Sequence, residues 1–334
     1  MKTGGAGIRD VARAAGVSVG TVSNYLNNKT VSPKLSERIK AAIDTLGFTS
    51  NMLAKGMRMQ RSSVIGLCLP YTSLTNFSTM IDALDRNISS TNYEMMQVLS
   101  RQDETIELQR VKKLAAFRMA GLLLVPSLRP QAILDYLDNA QIPTVLLGRY
   151  VPDEHRFDQV AVDHSQAMYE ASKALIERGH GTILFILRFP TLMVTLSRIA
   201  ALERAITDSG RNVVLQTMTA PDDEATFTEV LSAQMSAAPP SAIIVSNELM
   251  SSWTVKILLG RGLQLERDIA VLSLQKPQWA DLLSPGVSYV EQPTVELADR
   301  VWHALHRRML APDADIVHDL LPVKLVMARA STRS

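Results

Sequence analysis

Apolar residues near the start of the chain recur every three or four positions, a spacing that predicts short amphipathic helices. The first helix carries its apolar side chains at Ile8, Val11, Ala12 and Ala15. Gly16 ends it, because glycine readily adopts the left-handed conformation that follows many helices. Ser18 suits the N-cap of a second helix, which extends to about Leu26. That second helix carries few bulky polar side chains, so we expect it to lie against something other than protein.

A third helix follows a short loop. Ser32 stands at its N-cap and Pro33 at its first position, a favoured arrangement. Gly47 ends it after an apolar face made of Leu35, Ile39, Ala42, Ile43 and Leu46. The glycine turn between the first two helices predicts a helix-turn-helix, the motif whose second helix enters the major groove of DNA. The alternative is an ordinary helical hairpin within a bundle.

A different pattern begins at Val64, where short continuous apolar runs alternate with helical stretches. Runs this apolar are typical of strands buried on both faces, which implies parallel sheets covered by helices. Nine or ten strands are too many for a typical single sheet. We therefore predict two doubly wound lobes with a ligand cleft at the carboxyl ends of their strands. The apolar runs are VIGLCLP, YEMMQVL, GLLLVP, PTVLLG, VAVD, TILFIL, VVLQTM, SAIIVS and IAVLSL.

These patterns divide the chain into three parts. Residues 1–48 form an all-α helix-turn-helix headpiece, residues 49–62 a basic and polar hinge linker, and residues 63–334 an α/β core of two doubly wound parallel-sheet lobes. One lobe comprises about 63–161 and 292–320, and the other about 162–291 and 321–334. We expect the chain to return to the first lobe through the helical segment that starts at Thr294.

The charge is unevenly distributed along the chain. Residues 1–62 hold ten Lys and Arg against three acids, a net charge of +7, whereas the remainder holds 25 basic and 30 acidic residues, a net charge of −5. A basic head on an acidic body is typical of nucleic-acid binding. A solvated charged face is the alternative explanation.

Several protein classes fit the chain poorly. No apolar run approaches the ~20 residues of a membrane span, and MKTGGAG lacks the apolar segment of a secretory signal. The single cysteine, Cys68, excludes a disulfide framework and fits a reducing cytoplasm. The six histidines are scattered, and neither a phosphate-binding loop nor a nucleophile elbow is present. We therefore expect no enzyme activity, no metal and no cofactor. A transport-type ligand-binding protein remains an alternative, disfavoured by the basic head.

The head also resembles a known family. The motifs DVARAAGVS, TVSNYLN, VSP and LGF-x-x-N resemble the DNA-binding headpiece of the LacI/GalR (lactose-repressor) family. In the core, IGLCLP, GLLLVPS, IPTVLLGR, IERGH, AIIVSNE, VEQP and LPVKLVMARAST resemble the same family. The resemblance implies a repressor that binds a palindromic operator as a homodimer. Its core would be similar to type I periplasmic sugar-binding proteins and would take a small effector between the lobes.

The resemblance also implies roles for individual residues of the head. Val19, Gly20 and Asn24 occupy base-reading positions, and Met57 stands where a leucine usually wedges into the minor groove. Most family members have arginine in place of Asn24, and asparagine suits the edge of adenine rather than guanine. Ser18, at the start of the second helix, can hold a phosphate. The remaining phosphate-contacting or hinge positions are Thr21, Ser23, Asn27, Ser32 and Asn51.

In the core, the same resemblance implies which residues contact the effector. The positions concerned are Phe77, Arg149, Arg198, Asn247 and Gln275. Two carboxylates that often bind sugar hydroxyls in the family are replaced here by Gly148 and Gln275, while Arg149 and Arg198 are present. This combination favours a sugar acid, a sugar phosphate or another small anion as the effector. The alternatives are a neutral sugar, bound through Asn247 and backbone groups, and a cleft that has lost its ligand.

Overall fold

The computed structural model describes residues 6–26, 29–48, 63–283 and 286–328. The chain divides into two compact units, Met1–Ser63 and Val64–Ser334. The hinge linker at 49–62 lies outside the described residues, as do Asn27, Asn51 and Met57.

The first unit contains the three helices expected from the sequence: α1 (Ile8–Ala15), α2 (Val19–Leu26) and α3 (Pro33–Leu46). Gly16 has a φ of 61°, and its N–H donates to the carbonyls of Ala12 and Arg13, which closes α1. The Ser18 hydroxyl accepts the N–H of Thr21 at 3.0 Å. The buried core of the unit consists of Val11, Ala12, Ala15, Val22, Ile39 and Ala42.

The third helix begins where the sequence indicated, but the expected side-chain cap is absent. Ser32 stands at the N-cap and makes no capping bond through its hydroxyl. The N–H groups of Leu35 and Ser36 instead donate to the Ser32 carbonyl oxygen, both at 3.0 Å. The N–H of Leu35, at the third helical position, is therefore already paired with the backbone, and Pro33 at the first position fixes φ for the helix.

The second unit contains two six-stranded sheets. The first sheet has the order β11-β5-β4-β3-β1-β2, and all of its pairs are parallel. Its strands are β1 (Val64–Leu69), β2 (Glu94–Leu99), β3 (Gly121–Leu124), β4 (Thr144–Gly148), β5 (Asp158–Asp163) and β11 (His318–Pro322). This sheet includes residues 162–163 and 321–322, two residues beyond each limit expected for the first lobe, because both strands continue up to the crossing points between the lobes.

The second sheet has the order β12-β10-β9-β8-β6-β7. Its strands are β6 (Thr182–Leu187), β7 (Val214–Thr219), β8 (Ala242–Val245), β9 (Ala270–Ser273), β10 (Ser288–Glu291) and β12 (Lys324–Val326). The expectation of parallel pairing is wrong for one edge, since β10 and β12 run antiparallel. The last strand enters the second sheet directly from β11 through Val323, so no helix separates the two.

Helices cover both sheets. The first lobe carries α4 (Thr75–Ser89), α5 (Glu104–Ala115), α6 (Gln131–Asn139) and α11 (Thr294–Leu310). The second carries α7 (Ser165–Glu177), α8 (Met193–Ser209), α9 (Glu224–Ala237) and α10 (Glu248–Gly260), with a 3₁₀ turn at Ala280–Leu282. The chain crosses between the lobes three times: between β5 and α7, between β10 and α11, and between β11 and β12. Neither lobe is a continuous segment.

A buried ionic network fixes the return of the chain to the first lobe. The fully buried carboxylate of Asp158, at the start of β5, accepts bonds from Arg308 Nε at 2.9 Å and from Arg307 Nη2 at 2.8 Å. It also accepts the backbone N–H of Val317 at 2.8 Å. Arg308 donates in addition to the carbonyls of Pro312, Ala314 and Asp315. The network ties the end of α11 and the following loop to the sheet.

The cysteine is part of the hydrophobic core. Cys68 lies in β1 and is completely buried among residues such as Leu122 and Leu146. Burial raises the pKa of its thiol to about 12, so the reactive thiolate is scarce at neutral pH. The residue serves packing, as its apolar neighbours in the sequence indicated.

Candidate functional site

The exposed face of α2 carries the residues expected to contact DNA. Val22 is completely buried and anchors the helix, whereas Gly20 and Asn24, four residues apart on the opposite face, are exposed. Val19 is an exposed apolar residue at 37% exposure. The expected positions Ser18 and Ser32 are also exposed, and Thr21 and Ser23 are half-buried.

The start of α2 is held in place by hydroxyl groups. The Ser18 and Thr21 hydroxyls lie 2.8 Å apart, and the Thr21 N–H also donates to Ser18 Oγ. This arrangement orders the first turn of the helix, the part that a helix-turn-helix presents to base edges and phosphates. No acidic side chain lies in this first turn, so the surface that faces away from the core of the unit is compatible with an anionic partner.

A cavity lies between the two lobes of the second unit, at the carboxyl ends of strands from both sheets. It contains about 920 Å³ of empty space, part of it open to solvent. The five residues expected to contact an effector all line this cavity: Phe77, Arg149, Arg198, Asn247 and Gln275. Residues as far as 198 positions apart in the sequence, Phe77 and Gln275, thus meet in one place, as the doubly wound fold implies.

Arg198 has an unusual environment. It lies on α8 and is 7% exposed, which is incompatible with the alternative of a surface arginine. Burial lowers the pKa of Arg198 to about 10, so its guanidinium stays protonated at neutral pH. Within the described ranges, its Nε has no hydrogen-bond partner and no carboxylate forms an ion pair with it. A buried, charged and unpaired donor group therefore lines the cavity.

The two other arginines of the cavity are already engaged. Arg149 Nη1 donates to Gln102 Oε1 and to the Pro126 carbonyl, both at 2.8 Å, and burial lowers the pKa of Arg149. Arg188 donates from Nε to Asp222 at 3.0 Å and lies over the ring of Tyr71. Because Arg188 belongs to the second lobe and Tyr71 to the first, their contact bridges the cleft.

Asn247 and Gln275 line the cavity but use part of their amide groups within the protein. Asn247 Oδ1 caps α10 by accepting the N–H of Met250 at 3.0 Å. Gln275 Oε1 accepts the N–H of Glu248 at 3.3 Å. Asn247 Nδ2 also donates to Met250 Sδ at 3.2 Å. Both side chains therefore help to shape the cavity wall.

Several residues of this cavity are not marked by any pattern in the sequence. His164 follows β5 directly and is 3% exposed, and its Nδ1 has no partner in the described part of the chain. Burial and the positive charge of Arg198 hold the pKa of His164 well below its usual range, so the ring is neutral. Asn76 donates from Nδ2 to Gln292 Oε1 at 3.5 Å, and its Oδ1 has no partner within the same ranges. The place of His164 directly after the apolar run of β5 was the available signal for that residue.

The charge of the cavity is one-sided. Its lining includes Arg149, Arg188 and Arg198, and none of the described residues that line it is an aspartate or glutamate. Gly148 and Gln275, which replace acids of the family pattern, both belong to the lining. An arrangement of this kind can attract and pair with a small anion, and it offers no carboxylate to accept the hydroxyls of a neutral sugar.

Two parts of the chain match known protein families. Residues 7–51 match the model of bacterial regulatory proteins of the lacI family, and residues 172–332 match the periplasmic binding protein-like domain. The chain belongs to the LacI family. Like the LacI-family regulators it resembles, it is a DNA-binding transcriptional repressor with a periplasmic-binding-protein-like core. None of its described helices is both long and apolar enough to span a membrane.

The relatives of this LacI-family chain match it over nearly its full length. The HTH-type transcriptional repressor PurR of Vibrio atlanticus is 26% identical, covering 92% of each chain. Catabolite control protein A of Priestia megaterium is 23% identical, covering 98% of this chain and 99% of the relative. Among solved structures, the lac repressor dimer bound to operator and the anti-inducer ONPF is 21% identical, covers 98% of this chain and 99% of its own, and has a TM-score of 0.84. A CelR–cellobiose complex is 22% identical, covers 98% and 100%, and has a TM-score of 0.71.

Proposed function

We propose that this repressor binds a palindromic operator in the cytoplasm as a homodimer and is controlled by a small anion held between its core lobes. The observation that carries the proposal is the buried, charged guanidinium of Arg198, whose Nε has no partner among the described residues, in a cavity where none of the described lining residues is an acid. An unpaired buried charge is costly, so a ligand that supplies the opposite charge is strongly favoured.

The chemistry of arginine narrows the ligand class. A guanidinium presents a planar fork of donors that matches a carboxylate or a phosphate with two parallel bonds. Since Arg149 and Arg188 are engaged with protein groups, Arg198 is the arginine best placed to form such a pair. A sugar acid, a sugar phosphate or a similar small anion fits these requirements.

A neutral sugar is the second candidate. The structure of CelR contains cellobiose, and the amides of Asn247 and Gln275 in the present cavity could bind hydroxyls. This candidate leaves the charge of Arg198 unbalanced, and for that reason we favour the anion.

For the head, we propose that α2 lies in the major groove, with Val19, Gly20 and Asn24 towards the base edges. The exposure of Gly20 and Asn24 on one face of α2 supports this role. An asparagine side chain can bond both N6 and N7 of adenine, so each operator half-site should contain an adenine opposite Asn24. Ser18, Thr21, Ser23 and Ser32 would contact phosphates, and Asn27, Asn51 and Met57 would complete the interface.

The proposed binding to a palindromic operator also implies a homodimer. A two-fold symmetric protein places two recognition helices on the two halves of a palindrome, one helical turn or a multiple apart. The lac repressor structure that this chain resembles is a dimer bound to operator, which supports the same assembly here.

The decisive experiment compares matched ligands on the full chain. Calorimetric titration with gluconate against glucose, and with glucose 6-phosphate against glucose, should show that an anion binds at least about tenfold more tightly than its neutral partner. Arg198→Gln should abolish that preference, whereas Arg129→Gln, which alters an arginine whose side chain is 87% exposed, should preserve it. Tight binding of glucose that Arg198→Gln leaves unchanged would overturn the anion proposal.

A further inference from the structure

Two of the three crossings between the lobes present polar residues to the cavity. His164 lies in the first crossing, between β5 of one lobe and α7 of the other, and Gln292 lies in the second, between β10 and α11. Asn76, at the start of α4, donates to Gln292. A ligand that contacts both His164 and Asn76 therefore meets the first crossing directly and is linked to the second through the bond from Asn76 to Gln292.

The unsatisfied polar atoms of the structure are concentrated at this place. Among the described residues, five buried side-chain atoms lack a hydrogen-bond partner: Asn76 Oδ1, Ser100 Oγ, Gln102 Nε2, His164 Nδ1 and Arg198 Nε. Asn76, His164 and Arg198 line the cavity, and Gln102 is bonded to Arg149, which also lines it. Buried polar atoms are almost always paired in folded proteins, so unpaired ones around a cavity outline the groups of an absent partner.

We infer that the effector is a hydroxylated anion, that its negative group is shared between Arg198 and His164, and that one of its hydroxyls donates to Asn76. This inference rests on the anionic effector proposed above and adds two residues that determine its specificity. It also assigns the ligand an orientation, with the charge towards the first crossing and a hydroxyl towards the second.

The surroundings of His164 support its part in binding the anion. A neutral imidazole still carries one N–H, which can donate to an anionic oxygen. The nearest acid in the sequence, Asp163, does not compete for that donor, because its carboxylate accepts the N–H of Ser165 at 2.8 Å. Arg198 supplies the charge and the imidazole supplies a second, directional donor beside it.

The surroundings of Asn76 support a hydroxyl rather than an amine. Its Nδ2 is used by Gln292, so the unpaired oxygen requires a donor from the ligand. An ammonium group is disfavoured in a cavity whose described lining includes three arginines and no acid. A hydroxyl donates without adding charge, and it is the group that sugar acids and sugar phosphates carry in abundance.

The test uses the full chain and calorimetric titration with gluconate, glucuronate, glucose 6-phosphate and fructose 6-phosphate, together with glucose and fructose. The carboxylates and the phosphates separate the two possible sources of the charge. His164→Asn should weaken the binding of the tightest-binding anion about tenfold, as expected for the loss of one hydrogen bond to a charged group. Asparagine is a favourable N-cap, so α7 should remain intact in this variant. His155→Asn, which alters an exposed histidine of the first lobe, is the matched control and should change nothing.

Asn76 is tested by a double cycle with deoxy ligands. Removing one particular hydroxyl from the tightest-binding anion should weaken binding to the native chain about tenfold, and the same removal should have no effect on binding to Asn76→Ala. Asn76→Asp, which keeps the oxygen and adds a negative charge, should weaken the binding of every anion. Melting curves without ligand establish that each variant is folded.

The outcomes separate this inference from the proposal beneath it. If Arg198→Gln abolishes anion binding while His164→Asn and Asn76→Ala bind as tightly as the native chain, the inference fails and the anionic effector stands. If glucose or fructose binds more tightly than every anion, or if no anion in the panel binds, the proposed effector class fails and the inference falls with it.

Discussion

At the scale of single residues, Glu107 shows how the first lobe supports the cavity wall. This fully buried glutamate on α5 accepts the Ser127 N–H at 3.0 Å and the Ser127 hydroxyl at 2.8 Å. Burial raises the pKa of Glu107 from 4.5 to about 7, although the bonds from Ser127 and the charge of Arg149 act in the opposite direction. Its charge also acts on Arg149, which lines the cavity.

This shifted pKa predicts a pH dependence of stability. Between pH 4.5 and about 7 the folded chain retains a proton that the unfolded chain has lost, so the free energy of unfolding should fall as pH rises through that window. The loss should reach about 3 kcal/mol and level off above the window. Denaturant unfolding of the full chain at a series of pH values measures it. Glu107→Gln, which can keep both contacts to Ser127, should remove this part of the slope; an identical pH profile for the variant would contradict the prediction.

At the scale of elements, the network around Asp158 should dominate the attachment of α11. Replacing Asp158 with asparagine leaves the guanidinium of Arg308 buried without a counter-charge. Loss of one partner from a buried pair costs about 3–5 kcal/mol, and Asp158→Asn should lower the free energy of unfolding by an amount of that order. The matched control is Asp319→Asn, which removes a partner of the more exposed Arg300 and should cost about 0–1 kcal/mol. Equal losses in the two variants would show that the network is not critical.

The elements that the sequence revealed share a physical property. Runs such as TILFIL are buried almost throughout, so their apolar character survives in any local window. β11 and β12 contain mostly half-buried or exposed residues, because they lie at sheet edges, and their sequences show no continuous apolar run. Local composition cannot reveal a strand such as β11, whose pairing depends on β5, more than 150 residues earlier in the chain.

The cavity shows the same division. Arg198 and Asn247 stand in recognisable motifs, and the sequence was sufficient to place them together. His164 and Asn76 stand in no motif that marks them, and their importance appears only when the fold brings a buried ring beside a buried guanidinium. That no acid stands among the described lining residues is also visible only in the structure, since Asp163 is adjacent to His164 in sequence but its carboxylate accepts the N–H of Ser165 at the start of α7.

At the scale of the whole molecule, the basic head and acidic body should govern DNA affinity. Binding of the +7 head to phosphates releases counterions, so the affinity of a dimer for duplex DNA should fall on the order of 10³-fold between about 50 and 200 mM salt. Fluorescence anisotropy of labelled duplexes measures the slope. Asn24→Ala should leave the slope unchanged while relaxing the preference at one base pair, because a base contact releases no counterion. A salt-insensitive affinity would contradict a phosphate-dominated interface.

The three crossings between the lobes have a consequence for synthesis. Five of the six strands of the first sheet, β1 to β5, are synthesised first. The sixth, β11, follows the end of β5 by about 155 residues. At ~5–20 residues per second, a ribosome needs roughly 10–30 s to produce that interval. The helix-turn-helix, whose contacts are all local, can fold long before then. A nascent chain therefore holds a complete helix-turn-helix while the cavity between its lobes is still unfinished, and that cavity is completed only after β11 and β12 have been synthesised.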